Sequence, residues 1–337
     1  MKQIAKHSKS EAINILTSLL IFCVLFLHRG FYTMKFISVS NFGFNALAYF
    51  AVGGFIFLSG YKLTKSKLQN SFTAFWKNRF TRIYPLYLLA IISYVLIIYS
   101  TASWQEIVKH LLLIQIFIPH LLGQNFLTLY FVGLIFAYYL FFSLTKSLLK
   151  KPLLFLLAYG IAMTSIVGAA FLTRNSWQLI EPRLILYLTM FAGSMLFAYY
   201  EEFLPKAKPF IIALSFIIPI LCLLLLKHHS LLEPAHFFAK PGFITLIIAP
   251  IFISFYYGFI NLPFKKNRLT QAAAYISQAS FAMFLFHRPI WELMKKIYPT
   301  YCFTQWLFIL GLGIPLIIIV SAQIQNSYTK LLGKLQQ

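Results

Sequence analysis

The chain has 337 residues, 60% of them hydrophobic and 18% aromatic against 11% charged, a balance that excludes a soluble globular domain, because so little polar surface cannot keep it in solution. Its net charge of +22 comes from 29 Lys and Arg against 7 Asp and Glu. In a soluble protein that excess would point to nucleic acid; here the charges sit in short loops between apolar runs, where they set topology and meet lipid head groups, so nucleic acid is excluded and the bilayer is the partner.

The apolar runs predict an all-α polytopic membrane protein, a bundle of about ten transmembrane helices forming a single membrane domain over 1–337 with no separate soluble domain. The first span, 13–33, follows Lys2, Lys6 and Lys9. No small-residue cleavage site follows it, so it is expected to be retained and not removed as a signal peptide. His28 closes the run Ile13–Leu27. At 1.5 Å per residue it lies about 22 Å along the helix, in the outer third of the bilayer, a depth at which an ionisable side chain marks a functional site by default. Asn14, Thr17, Ile21, Val24 and His28 share one stripe, which should face the bundle.

The second span, 45–61, holds Gly53, Gly54, Ser59 and Gly60, small residues suited to close helix packing. A basic segment with Lys77, Arg79 and Arg82 then leads into the third span, 83–100. Pro85 is expected in that span's first turn, with Tyr84 held out of helical geometry. Arg79 and Arg82, three apart, project from one face of a turn. They fit either a topology-setting cluster or a pair of forks gripping a phosphate or carboxylate. Ile107–Pro119 is apolar but short, and is expected in the outer interface or re-entrant.

Further spans are predicted at 126–144, 153–172, 184–200, 210–226, 242–260, 272–290 and 302–322. This topology places 19 of the 29 Lys and Arg inside, with both termini cytoplasmic. The loop with His228, His229, Glu233 and His236 lacks rigid ligand spacing, so no metal site is expected. Cys23, Cys222 and Cys302 form neither a disulfide framework nor a zinc motif. In the ninth span Ser277, Ser280, Phe284 and His287 share a face, with His287 at the depth of His28. Each histidine is followed by an arginine, Arg29 and Arg288. The two histidines are expected to line one outward-opening polar cavity, or else the arginines merely snorkel to the interface.

In order along the chain, His28, "FIFLSGYKL" (Phe55–Leu63), "RFTRIYPLY" (Arg79–Tyr87), "LYFVGLIFAYYLFF" and "SFAMFLFHRP" (Ser280–Pro289) resemble the motifs of the acyltransferase-3 family, membrane-bound O-acyltransferases of cell-surface glycans. The resemblance covers most of the chain. Many members carry an arginine eleven residues before the first-span histidine, where this chain has Thr17, and a glutamate in the fourth span, where Tyr130–Phe136 is apolar. The resemblance implies acyl transfer, of acetyl first of all, from a cytoplasmic acyl-CoA such as acetyl-CoA to a hydroxyl of an outward-facing polysaccharide, lipopolysaccharide or glycolipid, in a bacterial inner membrane. Acetyl-CoA would be a substrate, with no permanently bound cofactor, and a protein partner is left open. His28 would be the catalytic base or the carrier of an acyl-histidine relay. Arg79 and Arg82 would hold the donor. His287, Ser59, Thr17, Asn14, Arg29 and Arg288 would bind acceptor or support His28. A transporter or flippase for a lipid-linked sugar is the alternative, and a non-enzymatic role in a glycan-assembly complex a third.

Overall fold

The computed structural model describes residues 2–33, 41–66, 71–118, 126, 128–172, 183–203, 209–228 and 241–335. Among them the chain is 87% helical without a strand, as expected of apolar segments whose backbone must satisfy its own hydrogen bonds away from water. The helices are α1 (Lys2–His28), α2 (Asn41–Lys65), α3 (Phe72–Ile97), α4 (Trp104–Leu111), α5 (Tyr130–Thr145), α6 (Pro152–Leu172), α7 (Arg183–Tyr200), α8 (Pro209–His228), α9 (Pro241–Ile260), α10 (Arg268–Ile297), α11 (Phe303–Leu307) and α12 (Gly313–Leu335). A 3₁₀ turn, Arg29–Phe31, follows α1, and a π-helical turn, Phe308–Leu312, joins α11 to α12.

A long helix occupies each of the ten predicted spans. Among the described residues seven segments are long and apolar enough to cross a membrane, fewer than the ten expected, while Leu184–Tyr200 and Ile247–Ile260 are shorter apolar helices. Helix α10 has 30 residues and length to spare. Its polarity sets it apart, because Gln271, Ser277, Gln278, Ser280, His287 and Arg288 all lie on it. The loop carrying His228, His229, Glu233 and His236 lies outside the described residues from His229 to Lys240.

The chain divides into two compact units. The first comprises Met1–Ala51, Trp76–Ala102 and Pro263–Gln337; the second comprises Val52–Phe75 and Ser103–Leu262. In the first, α10 packs against α1 and α12. Ser18 joins α1 to α10, its hydroxyl 2.8 Å from the Ala273 carbonyl. An Asn267–Thr270 capping box starts α10, which satisfies orphan amides at its N-terminus. Near the other end, Gly313 lets α12 approach α10: a Cβ there would stand 2.9 Å from the Trp291 indole nitrogen and 3.0 Å from the Met294 sulfur. The same indole donates to the Ile309 carbonyl at 3.2 Å, within the π turn whose wider hydrogen-bond register leaves carbonyls open to outside donors.

The expectation for Pro85 is corrected. Helix α3 begins at Phe72 and runs unbroken through Pro85, with Tyr84 helical and its ring stacked 4.3 Å from that of Phe80. Arg79 and Arg82 therefore sit inside the helix and not on a connection before it. A proline in mid-helix strips the carbonyl four residues earlier of its partner, and a membrane helix tolerates this when a neighbour takes that carbonyl. Here the Tyr328 hydroxyl of α12 donates to the Thr81 carbonyl.

In the second unit α9 packs against α7 and α8. Ser103 and Glu106 form a capping box on α4, which ends after eight residues and turns through Leu113 with φ of 60°. Ile107–Pro119 thus starts as a short helix that does not cross. The His110 ring lies 4.3 Å from that of Phe126 and accepts the Phe126 N–H at 3.1 Å, while Gln115 donates to the Leu129 carbonyl at 3.2 Å. These bonds fold the segment back onto the start of α5.

Candidate active site

His28 is the last residue of α1, where the helix gives way to the Arg29–Phe31 turn. Its Nδ1 lies 2.8 Å from the Val24 carbonyl. A carbonyl only accepts, so Nδ1 carries the proton, and the neutral ring keeps its lone pair on Nε2. His287 repeats the arrangement on α10, its Nδ1 at 3.1 Å and 3.0 Å from the Met283 and Phe284 carbonyls. Its Nε2 is buried and has no hydrogen-bond partner among the described residues. The two rings stand 5.1 Å apart, so the histidines that the sequence placed at one depth are neighbours. His287 is fully buried and His28 half-buried.

The structure separates the two arginines. Arg29 folds back on its own helix, its guanidinium 3.5 Å over the Phe26 ring and donating to the Phe26 carbonyl at 2.5 Å. Arg288 is 6% exposed, and donates from Nε to the Tyr32 hydroxyl at 2.8 Å and from Nη1 to the Tyr99 hydroxyl at 3.2 Å. The rings of Phe31, Tyr94, Tyr99 and Tyr32 lie 5.5 to 6.0 Å from that guanidinium, within cation–π range. Its charge acts on both histidine rings. A positive group fixed by two phenols beside a histidine pair can stabilise negative charge developing on an oxygen.

Trp291 closes one side, edge-on to His287 at 5.7 Å and 5.7 Å from Tyr32. Trp291 also borders a cavity of about 340 Å³ lined with Phe22, Phe26, Arg29, Leu47 and Ile314. That cavity is apolar, and neither histidine lines it.

Arg79 and Arg82 share a turn of α3, half-buried and exposed respectively. They are not brought to the histidines. Twelve residues separate Arg82 from Tyr94 on the same helix, about 18 Å of rise, and Tyr94 is one of the rings around Arg288. One helix thus carries the arginine pair and touches the Arg288 cluster. Thr17 spends its hydroxyl on the Ile13 carbonyl at 2.7 Å. Asn14 is half-buried on the same stripe. Ser59 lies in the second unit, its hydroxyl 3.4 Å from that of Tyr139.

A family model for an acyltransferase domain, acyltransferase-3, matches residues 10–322. The chain belongs to the acyltransferase-3 family. Its apolar helices are those of a multi-pass membrane protein. Acyltransferase MdmB of Streptomyces mycarofaciens is 30% identical over 146 residues, covering 40% of this chain and 38% of that protein. The chain thus matches well under half the length of that relative. No solved structure matches. Tyr32, Tyr99, Trp291 and Ser18 were not singled out from the sequence. Two were within reach, since Tyr32 stands four residues after His28 and Trp291 four after His287, on the same helical stripes. Tyr99 carries no local signal, because its partner is 189 residues away.

Proposed function

We propose that this acyltransferase is an O-acetyltransferase that moves an acetyl group from cytoplasmic acetyl-CoA to a hydroxyl of an outward-facing polysaccharide or glycolipid, as a multi-pass protein of a bacterial inner membrane with both termini cytoplasmic. The observation that carries the proposal is His28, with Nδ1–H held by a backbone carbonyl and Nε2 left basic, beside His287 and the clamped Arg288. Arg79 and Arg82 hold the donor's phosphates. The donor's flexible arm then follows α3 toward Arg288, a rise of about 18 Å.

His28 Nε2 takes the proton of the acceptor hydroxyl as its oxygen bonds to the thioester carbonyl carbon. The carbonyl oxygen becomes an oxyanion, which the Arg288 charge stabilises. Collapse breaks the carbon–sulfur bond, the thiolate leaves, and the proton on His28 passes to it. His287 supports His28 by packing beside its ring. Ser59, Thr17, Asn14 and Arg29 are assigned lesser roles, in helix packing or at the rim of the site.

The test uses purified protein in sealed vesicles with host glycolipid extract and radiolabelled acetyl-CoA. Label should enter the glycan with wild type and fall sharply with the Arg79→Ala/Arg82→Ala double variant. Folded wild type that transfers no label from acetyl-CoA would overturn the donor assignment.

A further inference from the structure

We infer that Tyr328 is a positioning residue for the arginine pair: its hydroxyl replaces the helix hydrogen bond that Pro85 removes, and so fixes the turn that presents Arg79 and Arg82. The inference rests on the donor role proposed for those arginines. It starts from a covalent fact. Pro85 has no N–H, so the Thr81 carbonyl, four residues back, loses its partner within α3, and the proline ring pushes that carbonyl outward. A carbonyl opened in this way is costly inside a membrane protein unless a donor reaches it. Tyr328, seven residues from the end of α12, supplies that donor.

The location gives the bond its consequence. Thr81 lies between Arg79 and Arg82 on the same turn. The Thr81 side chain is already committed to the Lys77 carbonyl at 2.8 Å, and Tyr328 ties the backbone of this turn to a second helix. At the far end α3 is tied to the same unit by the Tyr99 hydroxyl on Arg288 and by Lys296, which donates to the Ile97 carbonyl at 2.8 Å. Helix α3 is thus pinned at both ends, with its hinge residue next to the inner pin. Arginine forks bind phosphate with strict angular demands. A turn free to pivot at Pro85 presents the same two charges in a range of orientations, and binds the donor more weakly without altering the chemistry farther along.

The test measures acetyl-CoA kinetics with the vesicle assay for Tyr328→Phe, Pro85→Ala and the double variant. Tyr328→Phe should raise the KM for acetyl-CoA about fivefold, the equivalent of one hydrogen bond of net strength about 1 kcal/mol, and leave kcat unchanged. Pro85→Ala restores an N–H that can reach the Thr81 carbonyl. Adding Tyr328→Phe to it should therefore change KM less than twofold. A KM unaffected by Tyr328→Phe, a fall in kcat alone, or the full fivefold effect persisting in the Pro85→Ala background would each overturn the inference while leaving the donor assignment standing. Wild type that does not use acetyl-CoA at all would overturn both.

Discussion

The clamp on Arg288 yields the sharpest quantitative expectation. Its guanidinium uses two divergent N–H groups, Nε to Tyr32 at 2.8 Å and Nη1 to Tyr99 at 3.2 Å, in a site where Arg288 is 6% exposed and Tyr32 1%. Hydrogen bonds to a charged group contribute about 1.5–3 kcal/mol each, and a buried donor left without its acceptor costs about 1–3 kcal/mol. Arg288→Lys keeps the charge but loses the fork, since an ammonium on a flexible stem cannot reproduce two fixed directions. Taking about 2 kcal/mol as the loss, transfer at saturating acetyl-CoA should fall about 30-fold. Arg288→Gln removes the charge as well and should fall further. Tyr32→Phe and Tyr99→Phe should each cost less than Arg288→Lys, and the double phenylalanine variant should be non-additive because both tyrosines act on one guanidinium. The assay is initial-rate label transfer in vesicles at matched protein level, with thermal stability followed in parallel. Transfer within twofold of wild type for both Arg288→Lys and Arg288→Gln would refute the reasoning.

Gly60 tests whether its small-residue motif is a matter of packing. An added Cβ would meet the Ser194 hydroxyl and stand 2.9 Å from the Phe191 backbone carbonyl, so Gly60→Ala should destabilise the protein by about 1–3 kcal/mol. Ser194→Ala should restore part of that loss in a thermal-stability assay, because the backbone clash remains. In α4, which is too short to cross the membrane, burial lowers the pKa of His110 from 6.5 to about 4. The neutral form is the one that accepts the Phe126 N–H. Because the folded pKa lies below the unfolded one, the contribution is fully present above about pH 6.5 and is lost as pH falls toward 4. Hydrogen exchange at the Phe126 amide should show protection that declines across that window beyond the intrinsic rate change. In His110→Phe the protection should be low and free of this dependence.

The fold was legible where periodicity and composition decide it. The ten apolar runs became long helices, and the depth argument for His28 and His287 placed two rings that stand 5.1 Å apart. Local rules failed where a distant segment overrides them. Pro85 reads locally as the opening of a helix, and the Tyr328 hydroxyl that takes the Thr81 carbonyl, 247 residues from it, helps make a mid-helix position tolerable. Arg29 and Arg288 are indistinguishable by depth; the tyrosines that select Arg288 lie 256 and 189 residues from it. The apolar cavity that Trp291 borders was likewise hidden, because it depends on how Trp291 and the π turn pack.

The most direct test of the account is label transfer from acetyl-CoA to glycolipid by His28→Ala, at a membrane level and thermal stability equal to wild type. With Nδ1–H held by Val24, Nε2 is the atom that takes the acceptor's proton, and loss of a general base costs about 10²–10⁴-fold. The account predicts a fall of at least about 100-fold with the KM for acetyl-CoA unchanged, since the donor's phosphates are held elsewhere, at Arg79 and Arg82. Transfer by His28→Ala at the wild-type rate would contradict it.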